Sequence, residues 1–288
     1  MPIGEARDGI RKRIGRYGLW RMGGDTDPTF GIAAEQHGFG SLWYGGVGAD
    51  LEMPKQVLAA TDRIVIGSGV VNIFGTDPRE VAESYHRLQS EFPERFVLGI
   101  GLGHPERTEL ARRPLGALGA YLDTLLADGV PPGRVVLAAL GPRVLALAAE
   151  RSAGALPYLV TPEHARSARE AMGPSALLIP EQRVVLDPVR HHALEIARPG
   201  IEFYLHLRNY RQNLERLGFT ADELDSASPR VIDALVVSGT PAEVRAGLDA
   251  HLAAGADHVL AQLVTTDGRD QTADVAALSA ALGLDVTA

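Results

Sequence analysis

The chain has 288 residues, 45% apolar and 22% charged, the balance of an ordinary soluble globular protein with length enough for a sizeable core. Its formal net charge of −8 argues against general nucleic-acid binding, which needs a basic surface to meet phosphate. Cysteine is absent, which excludes disulfides, thiolate zinc sites, iron–sulfur clusters and cysteine nucleophiles and makes a reducing, cytoplasmic setting the expectation.

From the start, Arg11, Lys12, Arg13 and Arg16 are not followed by an apolar core, so no secretory leader is expected. No apolar run approaches the roughly 18–20 residues of a membrane span. Short apolar runs then alternate with helical patterns to the end of the chain. The expected strands are Tyr17–Trp20, Ser41–Tyr44, Ile64–Asn72, Phe96–Leu102, Arg134–Leu140, Ala155–Val160, Ser175–Pro180 and His258–Leu263. Several are apolar without a period of two, as in a parallel sheet buried on both faces. Helix starts share one device, a capping residue followed by proline: Asp27-Pro28, Asp77-Pro78, Thr161-Pro162 and Thr240-Pro241. Glu80 and Glu243 stand where a capping box needs them. Gly38, Gly173 and Gly255 mark helix ends. Eight strands with this punctuation predict a (β/α)₈ barrel, with a doubly wound open sheet as the alternative. Pro188 to Ser228 breaks the rhythm with two helical patterns, one over Tyr204–Leu217, and reads as a helical insertion late in the chain. Neither a linker nor a charge block appears, so residues 1–288 are expected to form one domain.

In a parallel barrel the active site lies at the carboxyl ends of the strands. Two such ends are rich in glycine: Gly67-Ser68-Gly69-Val70-Val71-Asn72 and Leu98-Gly99-Ile100-Gly101-Leu102-Gly103-His104. Glycine within a strand marks either a bend or a close approach of main chain to a ligand, and a flat aromatic ring needs such a shelf. His104 follows a strand end and suits proton transfer at neutral pH, or is structural. Trp43 and Tyr44 either line the pocket or fill the core. Asn72 is a turn former or a polar contact to a ring edge. Thr161, after Tyr158, is a helix cap, and a helix N-terminus there would also favour an anionic group. Gly99-x-Gly101-x-x-His104 lacks the third glycine of a dinucleotide fingerprint, and there is no Walker motif, zinc-protease motif or nucleophile elbow. His191 and His192 point apart on a helix and read as surface residues, and no metal site is expected.

The run Arg63–Asn72, then Asp77-Pro78, then Phe92-Pro-Glu-Arg-Phe-Val-Leu-Gly-Ile-Gly-Leu-Gly103 resembles the third and fourth strands of the luciferase-like monooxygenase superfamily. Ala148–Pro157 and Gly255–Leu260 fit the same pattern, so the likeness spans nearly the whole chain. The short fourth-to-fifth strand stretch and the run ending at Pro162 resemble the actinobacterial branch that depends on the deazaflavin coenzyme F420. The resemblance implies a luciferase-like barrel and a non-proline cis peptide at Ser68-Gly69 or Gly69-Val70. It implies a cofactor bordered by Ser68, Gly69, Val70, Asn72, Gly101, Leu102, Gly103, Gly141, Ala155, Tyr158 and Thr161. Relatives are commonly homodimers. This sequence departs from them at Tyr44-Gly45-Gly46, where many carry Asp-His, and at Ser152, where an acid is missing; Glu106 is a substitute candidate for another. The expected activity is F420-dependent hydride transfer with a small organic substrate, with His104, then Tyr44, as proton carrier. The alternatives are an FMN-dependent monooxygenase and a non-catalytic deazaflavin-binding barrel. Arg107, Arg112, Arg113 and Arg143 are candidates to meet an anionic cofactor tail.

Overall fold

A computed structural model describes residues 2–23, 27–103, 114–266 and 271–284. His104, Glu106, Arg107, Arg112 and Arg113 lie outside the described residues. Among the described residues eleven strands follow in chain order: β1 (Tyr17–Met22), β2 (Ser41–Gly45), β3 (Val65–Ser68), β4 (Val71–Asn72), β5 (Phe96–Gly101), β6 (Val135–Leu137), β7 (Gly154–Ala155), β8 (Leu177–Leu178), β9 (Glu181–Val185), β10 (Val236–Ser238) and β11 (Val259–Leu263). All strand pairs are parallel, and the spatial order runs β11-β1-β2-β3-β5-β6-β7-β8. Only Ile179 and Pro180 separate β8 from β9. Along this stretch the Ile179 and Glu181 amides donate to Ala155 O and Pro157 O, both at 2.9 Å. On its other edge Leu178 O and Pro180 O accept from the Asp257 and Leu260 amides, again at 2.9 Å. One course of chain therefore bridges both ends of the sheet, and the cylinder closes. β10 takes the outer edge of β9 beyond the reach of β7.

Side chains alternate across each strand, so the sheet sorts them into two cores. Inside the cylinder pack Trp20, Trp43, Val65, Val97, Val136, Leu177 and Leu260. Ile10 and Ile14 join them from helix Ile3–Ile14, which lies across the amino ends of the strands. Arg7 on that helix holds Ala149 O, Ser152 O and Ala153 O. Under Trp43 a hydrogen-bond chain has one consistent direction. The Trp43 indole N–H donates to Ser41 Oγ at 2.9 Å, and Ser41 meets His258 Nε2 at 2.7 Å. His258 Nδ1 meets Gly15 O at 2.9 Å. A carbonyl only accepts, so Nδ1 carries the proton and Nε2 accepts from Ser41. Outside the sheet, residues such as Leu19, Leu42, Tyr44, Ile66 and Leu98 pack against the surrounding helices.

The Asp77, Thr161 and Thr240 caps form, and Thr240 and Glu243 complete a capping box. Asp27 accepts from the Thr29 amide although the helix begins at Thr29. At Asp77 the cap bond goes to the Arg79 amide, without a reciprocal bond from Glu80 among those described. The segment expected as a single strand over Ile64–Asn72 is broken into β3 and β4 by a cis Gly69–Val70 peptide. Ala155–Val160 is mostly loop after β7, and β9 extends the barrel wall past Pro180, where no strand was expected. The insertion comprises helices Arg190–Leu205, Arg208–Arg216, Ala221–Asp225 and Pro229–Leu235, so the expected helix over Tyr204–Leu217 is divided at His206–Leu207. Its apolar faces form a second core with Leu159 and Val185 of the barrel. His191 and His192 are exposed, as expected. No helix among the described residues is long and apolar enough to cross a membrane.

Candidate active site

A cavity of about 500 Å³ opens at the carboxyl ends of the strands. One side is largely main chain and small residues: Gly45 and Gly46 at the end of β2, Gly69 and Val70 at the bulge, Leu102 and Gly103 after β5, and Ala138 to Gly141 after β6. The bulge is held from behind. Ser68 Oγ donates to Gly99 O at 2.9 Å and accepts from the Gly99 amide at 2.8 Å. The Gly69 amide donates to Tyr44 O at 2.7 Å, and the Trp20 indole N–H donates to Gly69 O at 3.1 Å. Gly103 has φ 60°, and a Cβ there would meet Asn72 Nδ2 at 2.5 Å. Both the left-handed backbone and the close amide require glycine. At Gly141 a Cβ would meet nothing within 4 Å, so the shelf there faces open space. Gly141 also caps helix Pro142–Arg151, and Val144 in its first turn lines the cavity. That positive helix end is suited to an anionic group.

The opposite wall is aromatic. Trp20 and Tyr158 stand 4.9 Å apart by ring centroids, Tyr158 and Tyr204 5.2 Å, and Tyr204 and Tyr210 5.0 Å. Tyr158 donates to Gln262 Oε1 at 2.9 Å and accepts from Arg183 Nη2 at 3.1 Å. Desolvation pushes its phenol well above the usual 10, so it stays protonated. Arg183 also lies 5.2 Å from the Tyr204 ring centroid. Burial alone would lower its guanidinium, but its net shift is upward, with the hydrogen bond to the Tyr158 oxygen among the causes. Glu181 is fully buried; one carboxyl oxygen accepts from the Leu159 amide at 2.9 Å and the other has no protein partner. Desolvation pushes this carboxyl up to about 7, against the pull of Arg183 and the Leu159 amide. Leu159 is a non-glycine residue at φ 55°, so Glu181 clasps the kink that aims Tyr158.

Of the residues expected at the cofactor, Gly69, Val70, Asn72, Leu102, Gly103, Gly141 and Tyr158 converge on this cavity. Ser68 and Ala155 are wholly buried behind it. Gly101 is also off the wall, because Val70 and Ala138 cover it and a Cβ there would meet them at 2.8 and 2.7 Å. Thr161 serves the cap of helix Pro162–Met172 and does not line the cavity. Trp43 and Tyr44 are not on the wall either. Strand alternation turns Trp43 into the barrel interior beneath the cavity and Tyr44 out against the helices. His104 falls outside the described residues. The sequence reading missed Trp20 and Met22, which end β1, although a strand end was itself a signal. It also missed Tyr204, Asn209 and Tyr210, which only the folding of the insertion brings back to the barrel.

The shelf and the open space at Gly141 fit a planar tricyclic ring with an anionic tail, so the residues present suit a flavin-type cofactor. The comparisons agree at the level of fold. The Luciferase-like monooxygenase family model matches residues 29–117. An F420-dependent secondary alcohol dehydrogenase, solved with an F420–acetone adduct, superposes with TM-score 0.71 at 14% identity, covering 93% of this chain and 98% of that one. The coenzyme F420-dependent tetrahydromethanopterin reductase of Methanopyrus kandleri gives TM-score 0.74 at 16% identity, with 92% and 97% covered. The oxygenating constituent of 3,6-diketocamphane monooxygenase from Pseudomonas putida, in complex with FMN, gives 0.64 at 14% identity, with 93% and 96% covered. No curated protein matches. The chain thus has the luciferase-like TIM-barrel fold, shared with oxidoreductases and monooxygenases.

Proposed function

We propose that the protein is an oxidoreductase that holds coenzyme F420 against the β3–β4 bulge and moves a hydride between it and a small organic molecule. The observation that carries this reading is the slot between main chain at Gly69, Gly103 and Gly141 and the aromatic wall at Trp20 and Tyr158. The higher TM-scores of the two F420-dependent proteins support F420 ahead of FMN. When bound, the cofactor supplies the hydride chemistry at its ring. The chain supplies position and dryness. The Ser68 and Trp20 hydrogen bonds fix the bulge, the first turn of helix Pro142–Arg151 receives an anionic tail, and Tyr158, Tyr204 and Tyr210 exclude water. His104, next in sequence after Gly103, is the proposed proton carrier. Titrating the purified protein with oxidised F420 and, separately, FMN tests the reading by fluorescence quenching. Saturable F420 quenching is the expected result. Binding of FMN alone replaces this reading with the FMN one, and binding of neither removes it.

A further inference from the structure

Two features beside the aromatic wall lower stability, and they meet at one point. The first is a buried cation. Arg183 in β9 is 5% exposed, and its Nη2 donates to the Tyr158 oxygen at 3.1 Å. Burying a charge is unfavourable unless its surroundings compensate. The second is Pro199-Gly200, a helix-breaking pair within helix Arg190–Leu205. A Cβ at Gly200 would stand 2.4 Å from Arg183 Nη1, so the guanidinium fills the room that a side chain would take. From there it lies over the Tyr204 ring, 5.2 Å from the centroid. Tyr158 is held from its other side by Gln262, whose Oε1 accepts from the phenol at 2.9 Å. Gln262 and Arg183 are register partners across β11 and β9. One phenol is thereby pinned by two strands, and one guanidinium joins the barrel to the insertion. Tyr158 and Tyr204 both line the cavity. Tyr158 in turn packs on Trp20, whose N–H donates to the Gly69 carbonyl in the bulge.

Resting on the function proposed above, we infer that Arg183 is a positioning residue for the cofactor: set in the space left by Gly200, it fixes the orientation of Tyr158 and Tyr204 and so preforms the aromatic side of the slot that receives the ring. Arg183 itself stands behind the wall and acts through the two tyrosines. A wall ordered before binding loses less freedom when the ring arrives, which raises affinity.

The test compares Arg183→Met, which keeps an unbranched stem and removes the fork, with Gly200→Ala, which keeps the arginine and fills its space. Alanine suits a helix interior better than glycine, and the atom it would strike is the end of a long side chain. The alanine variant should therefore fold and melt no lower than wild type. Near-ultraviolet circular dichroism of the cofactor-free protein reads the packing of Trp20 on Tyr158, with Tyr158→Leu marking complete loss of that band. Fluorescence quenching by oxidised F420 reads affinity. Arg183→Met is expected to lose most of the band and to weaken F420 about tenfold. Gly200→Ala is expected to lose part of the band and to weaken F420 about threefold at an undiminished melting temperature. A role for Arg183 in stability alone would not give that combination. An unchanged band in either variant overturns the inference, and so does an unchanged F420 affinity where the band is lost. Should Arg183→Met fail to fold, Gly200→Ala decides by the same criteria. The dichroism needs no cofactor: failure of the wild type to bind F420 removes the parent reading, and an unchanged band removes this one alone.

Discussion

Replacing Glu181 with glutamine isolates the energetics of the carboxyl that clasps the Tyr158 kink. In the folded protein this group is raised from 4.5 to about 7 by burial. At about 1.36 kcal/mol per unit of pKa, that corresponds to about 3 kcal/mol. The folded state holds the proton more tightly than the unfolded state does. The group's favourable contribution is therefore complete below the unfolded value of 4.5 and is lost as pH rises through about 7. Glutamine cannot ionise, and its Oε1 can still accept from the Leu159 amide. Its Nε2 beside Arg183 adds a fixed cost that is the same at every pH. Urea unfolding of both proteins at pH 5 and pH 8 removes that constant. Between the two pH values the variant should gain roughly 2–3 kcal/mol on the wild type. A difference that stays flat, or that shrinks toward pH 8, refutes the argument that Glu181 is a neutral carboxyl in a desolvated site.

His258 gives the opposite slope. Burial lowers it from 6.5 to about 4, so its contribution is present above 6.5 and lost as pH falls toward 4. His258→Gln should flatten the acid limb of the stability curve in that window, as read by melting at pH 7 and pH 4.5; an unchanged limb assigns acid sensitivity elsewhere. Gly103→Ala places a Cβ against Asn72 Nδ2 and forces a side chain into φ 60°, costing about 1 kcal/mol of stability and at least tenfold in F420 affinity. Equal cofactor affinity would show that the ring does not rest there. His104→Ala should lower turnover while F420 affinity changes little, measured by stopped-flow bleaching and by equilibrium quenching.

The barrel was legible because its strands are buried on both faces and its helices begin with cap–proline pairs such as Asp77-Pro78 and Thr240-Pro241. β9 escaped because Glu181, Gln182 and Arg183 are polar yet lie within a wholly buried strand. Their side chains reach distant residues: Glu181 the Leu159 amide, Gln182 Leu235 O and His251, and Arg183 the Tyr158 oxygen. Composition cannot show those long-range contacts. The sequence pointed to glycine at Gly69, where a Cβ would meet the Trp20 indole at 2.7 Å, and at Gly103, where φ is left-handed. At Gly101 glycine makes room for Val70 and Ala138. Tyr44 was placed at the wall for lack of register, since its neighbour Trp43 faces in and it faces out. Of the aromatic wall only Tyr158 was named from the sequence, because 45 residues lie between it and the insertion's Tyr204–Tyr210 run before tertiary folding joins them.

The shelf and the aromatic wall are drawn from different stretches of one polypeptide. Residues 29–117, which the family model recognises, hold Gly69, Val70, Asn72, Leu102 and Gly103 and stop well short of Tyr158. What these stretches would recognise can therefore drift separately: on the proposed function, substitutions in the insertion would retune the choice of reactant while the stretch proposed to cradle the ring stays unaltered. A transplant of residues 188–228 into a homologous barrel would be expected to carry its preferences along, provided Leu159 and Val185, on which that segment rests, go with it.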